Sequence, residues 1–290
     1  MNSIIDPNIY EKDAIQEVIH WSKSVEKIDI ISRALRVASR PVLDYLENKI
    51  PSQLMEGFEI LLAESIQKCF QISNLTTSKQ LIFHRLRKIG IKVEDLNQLR
   101  MCNLKPLDEV AKTFFTEHAI LAALEGASCG LGGITFAMAD LPILVTLNFR
   151  VILQIALTFG FSVEDNPSRL FALKVLTMGL LDEQNQAHCE QWNQLNQLSK
   201  RHVHQQSEKS VACIGKDRLF LGTVHKLVSR LGLALSRRKI FAFMPLAGGA
   251  INAGINYYCT NRCSKIAFYI YRHKLLASRG YDLSESGMVL

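Results

Sequence analysis

A glycine-rich apolar run, Gly126-Ala-Ser-Cys-Gly-Leu-Gly-Gly133, separates two apolar segments and opens onto Ala139-Asp-Leu-Pro142. Glycine removes the side chains that hold helix axes apart, so the run allows two apolar helices to approach closely. The upstream helix is read through Phe114, Ile120 and Leu124 into the glycines. The downstream helix is read from Leu141 to Phe159 and carries one charge, Arg150. Asp140 is placed to cap it, because its carboxylate can accept the free N–H groups of the first turn, and Leu141 and Pro142 are then its first positions. Gly160 is its expected C-cap.

A second small-residue run, Gly248 to Gly254, echoes the first. Residues spaced by four recur in both, Gly126 with Gly130 and Ala250 with Gly254. Two glycine-rich apolar hairpins are therefore expected, with Gly126, Gly130, Gly133, Gly248, Gly249 and Gly254 at the helix crossings.

The remainder also reads as helix, with no strand-like alternation between hairpin turns. Ile15, Val18, Ile19, Val25, Ile28, Ile31 and Leu35 recur at helical spacing, and further helices are expected near 53–71, 78–89 and 94–101, broken at Gly90. Pro106 opens another, with Asp108 and Glu109 at its positive end. Asp165-Asn-Pro167 starts the next. Residues 183–209, rich in Gln, Asn and His, read as a solvated helix or connection, followed by a helix over 216–236 and a long or broken one from Ile240 to Ala277. The expected fold is an all-α, multi-helix bundle, divided into an N-terminal helical region (1–94), a helical domain (95–280) and a tail (281–290).

Of the 290 residues 48% are apolar, enough for a substantial core. Seven scattered cysteines do not make a disulfide framework and are read as reduced, mostly buried thiols in a cytosolic setting. The first residues lack the basic start, apolar stretch and small-residue cleavage site of a signal peptide. The net charge of +7 is segregated: from Lys200 to Gly280 there are 15 Lys or Arg against only Glu208 and Asp217. Such a basic region suits an anionic partner.

Ile240 to Asn261 is uncharged over 22 residues and flanked by Arg237-Arg-Lys239 and Arg262. By length it matches a bilayer span, but Pro245, Asn252, Asn256 and its glycines weaken it. The first hairpin is likewise interrupted by Asp140 and Arg150. Buried core hairpins in a soluble bundle, or shallow and conditional insertion, both fit better than stable spanning. An anionic surface adds about 1 kcal/mol per nearby Lys or Arg.

Gly126-Ala-Ser128-Cys-Gly130 matches the G-x-S-x-G nucleophile pattern, which requires a strand-to-helix turn. Its helical context makes Ser128 a small residue at a crossing instead. No Lys-Ser or Lys-Thr follows to make a phosphate loop. Cys259 and Cys263 share a helix face and could be joined by His273, or by His202 and His204, but no second pair completes a metal site. No metal, cofactor or catalytic set is expected. Glu94-Asp95, Asp108-Glu109 and Glu164-Asp165 lie near helix starts, where capping explains them. Glu125 and Asp140 interrupt apolar segments and need partners if buried, Arg150 being one candidate for Asp140. The basic segment carries no nucleic-acid-binding signature.

The stretch Glu125–Gly133 with Ala139-Asp-Leu-Pro142, then Thr158-Phe-Gly-Phe161, Glu164-Asp-Asn-Pro167 and Arg169-Leu-Phe-Ala-Leu173, resembles the EcsC protein family. Leu99-Arg100 and Leu107-Asp108 upstream fit the same pattern, as do Pro245–Ala250, Asn252 or Asn256, and Arg272-His-Lys-Leu275 downstream. The likeness covers roughly residues 95–280. It departs at Phe159, where an aromatic such as Tyr is commoner, and in the Gln/Asn-rich insert. The resemblance implies an α-helical, membrane-associated protein with no established reaction and no catalytic set to carry over.

The expected function is accordingly non-catalytic: docking on an anionic lipid surface, or on a membrane partner, from the cytoplasmic side. Arg237, Arg238, Lys239, Arg262, Arg272 and Lys274 are the expected contacts. The alternatives are a lipid- or ester-acting hydrolase using Ser128 or Asp140, and a soluble helical adaptor. EcsC-like domains also occur in secreted bacterial effectors, and Asp282–Leu290 has acidic residues before an apolar end as some secretion signals do. Oligomeric state is not legible.

Overall fold

The computed structural model describes residues 9–24, 60–61, 64–66, 68–69, 72–130, 133–180 and 248–283. Among these the protein is an all-α bundle of seven helices: α1 (Ile9–Ser24), α2 (Ile72–Lys88), α3 (Leu96–Met101), α4 (Leu104–Gly130), α5 (Gly133–Thr158), α6 (Asn166–Leu180) and α7 (Gly248–Ser278). The expected helix over 216–236, the 183–209 segment, Arg237, Arg238, Lys239 and most of the tail lie outside the described residues.

Helix α7 is the central strut and packs against α1, α4, α5 and α6. Its buried apolar positions, among them Cys259, Cys263, Ile266, Ala267, Ile270, Tyr271 and Leu275, recur at three- and four-residue spacing. Phe268 meets Phe115 of α4 edge to face, with ring centroids 5.5 Å apart, and lies 5.7 Å from Phe159 beyond α5. α1 joins the same core through Ala14 and Val18 and stacks Trp21 on Tyr269 at 4.7 Å.

The helix ends follow elementary chemistry. Asp95 caps α3, accepting from the backbone N–H of Asn97 at 2.6 Å and Gln98 at 3.0 Å. Asp165 precedes α6 and accepts from Ser168 N. Gly160 takes the left-handed conformation with φ +80°, Phe161 N donates to Ala156 O, and Gly160 N donates to Leu157 O. This closes α5 as the sequence predicts. Leu96 O lies 2.6 Å from where a Gly160 Cβ would stand, so the turn is also a close approach between α3 and the end of α5.

Three expectations are corrected. Asp140 does not cap a helix and Pro142 does not open one: α5 starts at Gly133, so both lie inside it. Asp-Leu-Pro imitates an N-cap locally, but the Asp140 carboxylate bonds sideways to another helix, and the helix tolerates the N–H that Pro142 lacks. Gly254 is not at a crossing. It sits exposed in α7, with nothing among the described residues within 4 Å of where its Cβ would be. Gly179 is a crossing that the sequence reading passed over: its Cβ would stand 2.3 Å from Cys263 Sγ and 2.9 Å from Cys263 Cα. Of the other glycines, Gly130 is the last described residue of α4, Gly133 the first of α5 and Gly248 the first of α7, and Gly249 is buried.

Candidate functional site

Three helices converge at the glycine run. Gly126 of α4 faces α7 so closely that a Cβ would lie 2.6 Å from Asn256 Nδ2 and 2.8 Å from Asn252 O. Glycine is therefore required sterically, as the sequence suggests for this position. The space admits two amides. Asn252 Nδ2 donates to Gly126 O and to Asp140 Oδ2, both at 2.8 Å. Asn256 Nδ2 donates to Asp140 Oδ1 at 3.0 Å and Oδ2 at 3.3 Å. Asp140, Asn252 and Asn256 are all wholly buried. Asn252 and Asn256 stand four apart, so they project from one face of α7 toward one carboxylate. Arg150, the partner considered from sequence, is exposed and ten residues along α5, a rise of about 15 Å.

Glu125 and Cys129 share the neighbouring face of α4, and Cys129 Sγ lies 3.9 Å from Glu125 Oε1. One ligand-capable atom each from Glu125, Cys129 and Asp140 falls within 4.8 Å of the others. This constellation was not assembled from the sequence. The signal was present in two carboxylates interrupting apolar helices, with a thiol one turn from the first.

Ser128 stands on the exposed side of α4, its hydroxyl donating to Leu124 O within its own helix at 3.0 Å. This is the ordinary helical serine geometry, and helix rather than strand leads into it from Leu104 onward. Cys259 and Cys263 are buried among core residues of α7. His273 is also buried, which lowers its pKa to about 4 and keeps it neutral at pH 7.

A second buried polar cluster lies toward the other end of α7. Arg272 pairs with Asp108 Oδ2 at 2.7 Å and with Glu17 Oε2 at 2.5 Å, while the Tyr10 hydroxyl donates to Asp108 Oδ2 at 2.8 Å. Burial pushes the Asp108 carboxyl up to about 6, against the downward pull of Arg272 and Tyr10. Arg279 continues the cluster, pairing with Glu11 and donating to Arg100 O and Cys102 O. Two expectations fail here. Arg272 is not a surface anion contact, because it is buried as the counter-charge of Asp108. Asp108 is not a helix-end charge, because it lies buried inside α4. Lys274 is no free contact either: its ammonium stands 4.7 Å from the ring centroids of both Phe161 and Phe171, and burial lowers its pKa. Arg262 is half-buried on α7.

The segments that carry the family resemblance thus meet one another in space. Gly126 and Asp140 meet Asn252 and Asn256, Asp108 meets Arg272, and Arg100 Nε donates to Gly160 O at 2.8 Å. The model of the EcsC protein family matches residues 12–276, reaching upstream of residue 95 to include most of α1. Two relatives from Bacillus subtilis (strain 168) align over nearly their whole lengths. One is the uncharacterized protein YdbA, 22% identical over 276 residues, covering 91% of this chain and 92% of that protein. The other is protein EcsC, 21% identical over 270 residues, covering 90% and 94%. No solved structure matches the chain.

Proposed function

The chain belongs to the EcsC protein family, and from that premise we propose that it is a non-catalytic protein that docks peripherally on anionic membrane surfaces. One observation carries the reading. Ile120, Leu121 and Leu124 of α4, Ile143 of α5 and Tyr257 of α7 are each between 44% and 62% exposed. Leu124, Ile143 and Tyr257 stand within three residues of Gly126, Asp140 and Asn256 respectively, and Ile120 and Leu121 lie one turn further back. Five large apolar side chains therefore stand exposed on the helix stretches that form the three-helix crossing. From His118 to Phe149 the only charges are Glu125 and Asp140, and Asp140 is buried. Clustered apolar exposure of this kind marks a surface that meets another apolar phase.

Charge supplies the second half. Between Lys200 and Gly280 the sequence holds 15 Lys and Arg against two acids, an excess that stays large although Arg272, Lys274 and Arg279 are engaged internally. Such a segment favours an anionic leaflet over a neutral one. Among the described residues no helix is long and apolar enough to cross a membrane, so contact is proposed at the surface.

Vesicle flotation tests this. The protein is expected to float with vesicles rich in phosphatidylserine at low salt and to be released as salt rises. Arg237→Ala, Arg238→Ala and Lys239→Ala together should weaken binding severalfold, as should Leu121→Gln with Leu124→Gln. Failure to float, or flotation untouched by both sets, overturns the proposal.

A further inference from the structure

We propose that the end of the bundle at the Asp140 crossing enters one leaflet of an anionic membrane, as far as a basic level at Arg150, Arg262 and Lys265. The inference rests on the proposed membrane docking and adds which end goes in, how far, and what stops it.

A few contacts fix how the helices run past one another. Asp140 of α5 meets Asn252 and Asn256 of α7, and Phe159 just beyond α5 meets Phe268, so α5 and α7 climb together. Helix α4 runs the opposite way, with Gly126 against Asn256 and Phe115 against Phe268. The last described residue of α4, Gly130, and the first of α5 and α7, Gly133 and Gly248, therefore share one end of the bundle. Counting from that end, α5 shows no exposed charge before Arg150, and α7 carries no charge before Arg262, with Lys265 following. On α4 the first charge beyond Glu125 is Glu117, which Arg85 of α2 pairs at 2.7 Å. The same contacts bring Arg150 and Glu117 to the height of Arg262 and Lys265. The end below that level is about 20 Å tall on α4 and α7 and about 25 Å on α5. One half of a bilayer, headgroups included, is about 20–22 Å.

The chemistry of this end suits an apolar phase. Its exposed positions among the described residues are the five apolar side chains already named, with Ser128, Ala250 and Gly254. Ser128 donates to Leu124 O, and half-buried Thr146 donates to Pro142 O at 2.7 Å, so both hydroxyls are satisfied within their own helices. Polar groups enter hydrocarbon only on that condition. Of the two acids at this end, Asp140 is wholly buried and Glu125 half-buried. At the level above, Arg150 and Lys265 are exposed. There they meet the phosphates of an anionic leaflet, and the cost of carrying them into hydrocarbon halts the bundle. Basic charge at one height, half a bilayer from an apolar tip, matches a leaflet rather than a protein partner.

Tryptophan quenching on the full chain tests this. Leu124→Trp and Tyr257→Trp place the probe at exposed positions near Asp140. Their added emission should fall severalfold on vesicles of phosphatidylserine and brominated phosphatidylcholine. Met101→Trp is the control, on α3 at the opposite end where Arg100 meets Gly160, and should lose little. Arg150→Gln with Lys265→Gln should weaken vesicle binding at least about tenfold and leave the urea midpoint unchanged. Flotation without quenching at either probe, or with equal quenching at Met101→Trp, overturns the end-on insertion while docking through the basic segment stands. Binding untouched by the Arg150 and Lys265 changes overturns it as well. Absence of flotation overturns both proposals together.

Discussion

Asp108 and Asp140 are both wholly buried, and both are met by side chains of α7, yet by opposite means. Asp108 is met by a full positive charge, Arg272, and by the Tyr10 hydroxyl of α1. Asp140, among the described residues, is met by two amides. The sites stand 16 to 20 residues apart on α7, or about 24–30 Å along its axis. At the Asp108 end charge is matched and α1 closes over the site, with Glu11 and Glu17 adding further pairs. At the Asp140 end Glu125 and Cys129 gather beside the carboxylate, and half-exposed apolar side chains surround it. The difference is between a buried carboxylate fastened by an ion pair and one held by amides, and the proposed function places the membrane contact at the second end.

Removing Arg272 is the strongest way to break the comparison. Arg272→Ala leaves Asp108 buried without its cation, and deleting one partner of a buried pair costs about 3–5 kcal/mol. Replacing Asp108 and Arg272 together by Leu and Met should recover most of that, because a matched apolar pair is often neutral or better. Urea unfolding of the two single variants and the double variant measures the coupling. A double variant no more stable than Arg272→Ala would mean that Arg272 acts chiefly through Glu17 and α1.

The pH dependence sharpens the same contrast with a somewhat smaller effect. Burial raises the Asp108 carboxyl from 3.8 to about 6. Between those values the folded chain holds a proton that the unfolded chain has released, so this contribution to stability grows as pH falls from 6 to 4. Burial lowers His273 from 6.5 to about 4. There the unfolded chain takes the proton first, so this contribution is complete above 6.5 and is lost as pH falls to 4. At about 1.4 kcal/mol per unit each is on the order of 3 kcal/mol, and the two oppose. Asp108→Asn removes one side. Its stability should start lower at pH 7 and then fall more steeply than the unchanged protein's between pH 6 and 4, by roughly 2–3 kcal/mol. Parallel curves in urea titrations at pH 7, 6, 5 and 4 would show that Asp108 is ionised throughout.

Much of the bundle was legible because its signals are local. Helical spacing gave the helices around α1, α2 and α6, Asp95 and Asp165 read as caps, Gly90 stands at the expected break, and Gly160 takes the left-handed turn of the expected C-cap. What escaped was long-range. Asp108 and Arg272 are 164 positions apart, and nothing near either distinguishes a buried pair from a solvated charge. Arg272 and Lys274 were therefore counted into a basic face that the structure shows them leaving for the interior. Asp140 misled in the other direction: Asp-Leu-Pro carries a strong local cap signature, and only the amides of Asn252 and Asn256 on another helix show why the carboxylate is there. For Gly126 the sequence suggested a close crossing without its partner; the partner proved to be polar.

Gly126 and Gly254 carry the comparison to single methyl groups. The sequence treated both as crossing residues, and the structure separates them. A Cβ at Gly126 would stand 2.8 Å from Asn252 O, a backbone atom, as well as 2.6 Å from an amide already bonded to Asp140. Backbone cannot yield as a side-chain tip can, so Gly126→Ala should cost about 1–3 kcal/mol as an overpacked site. At Gly254 the Cβ enters open space on an exposed helix face. There Gly254→Ala should stabilise by about 0.5–1 kcal/mol, the usual gain from replacing glycine inside a helix. Paired urea midpoints measure both signs. Equal losses at the two positions would mean that α7 packs tightly at Gly254 as well, on the face turned away from Asn252 and Asn256.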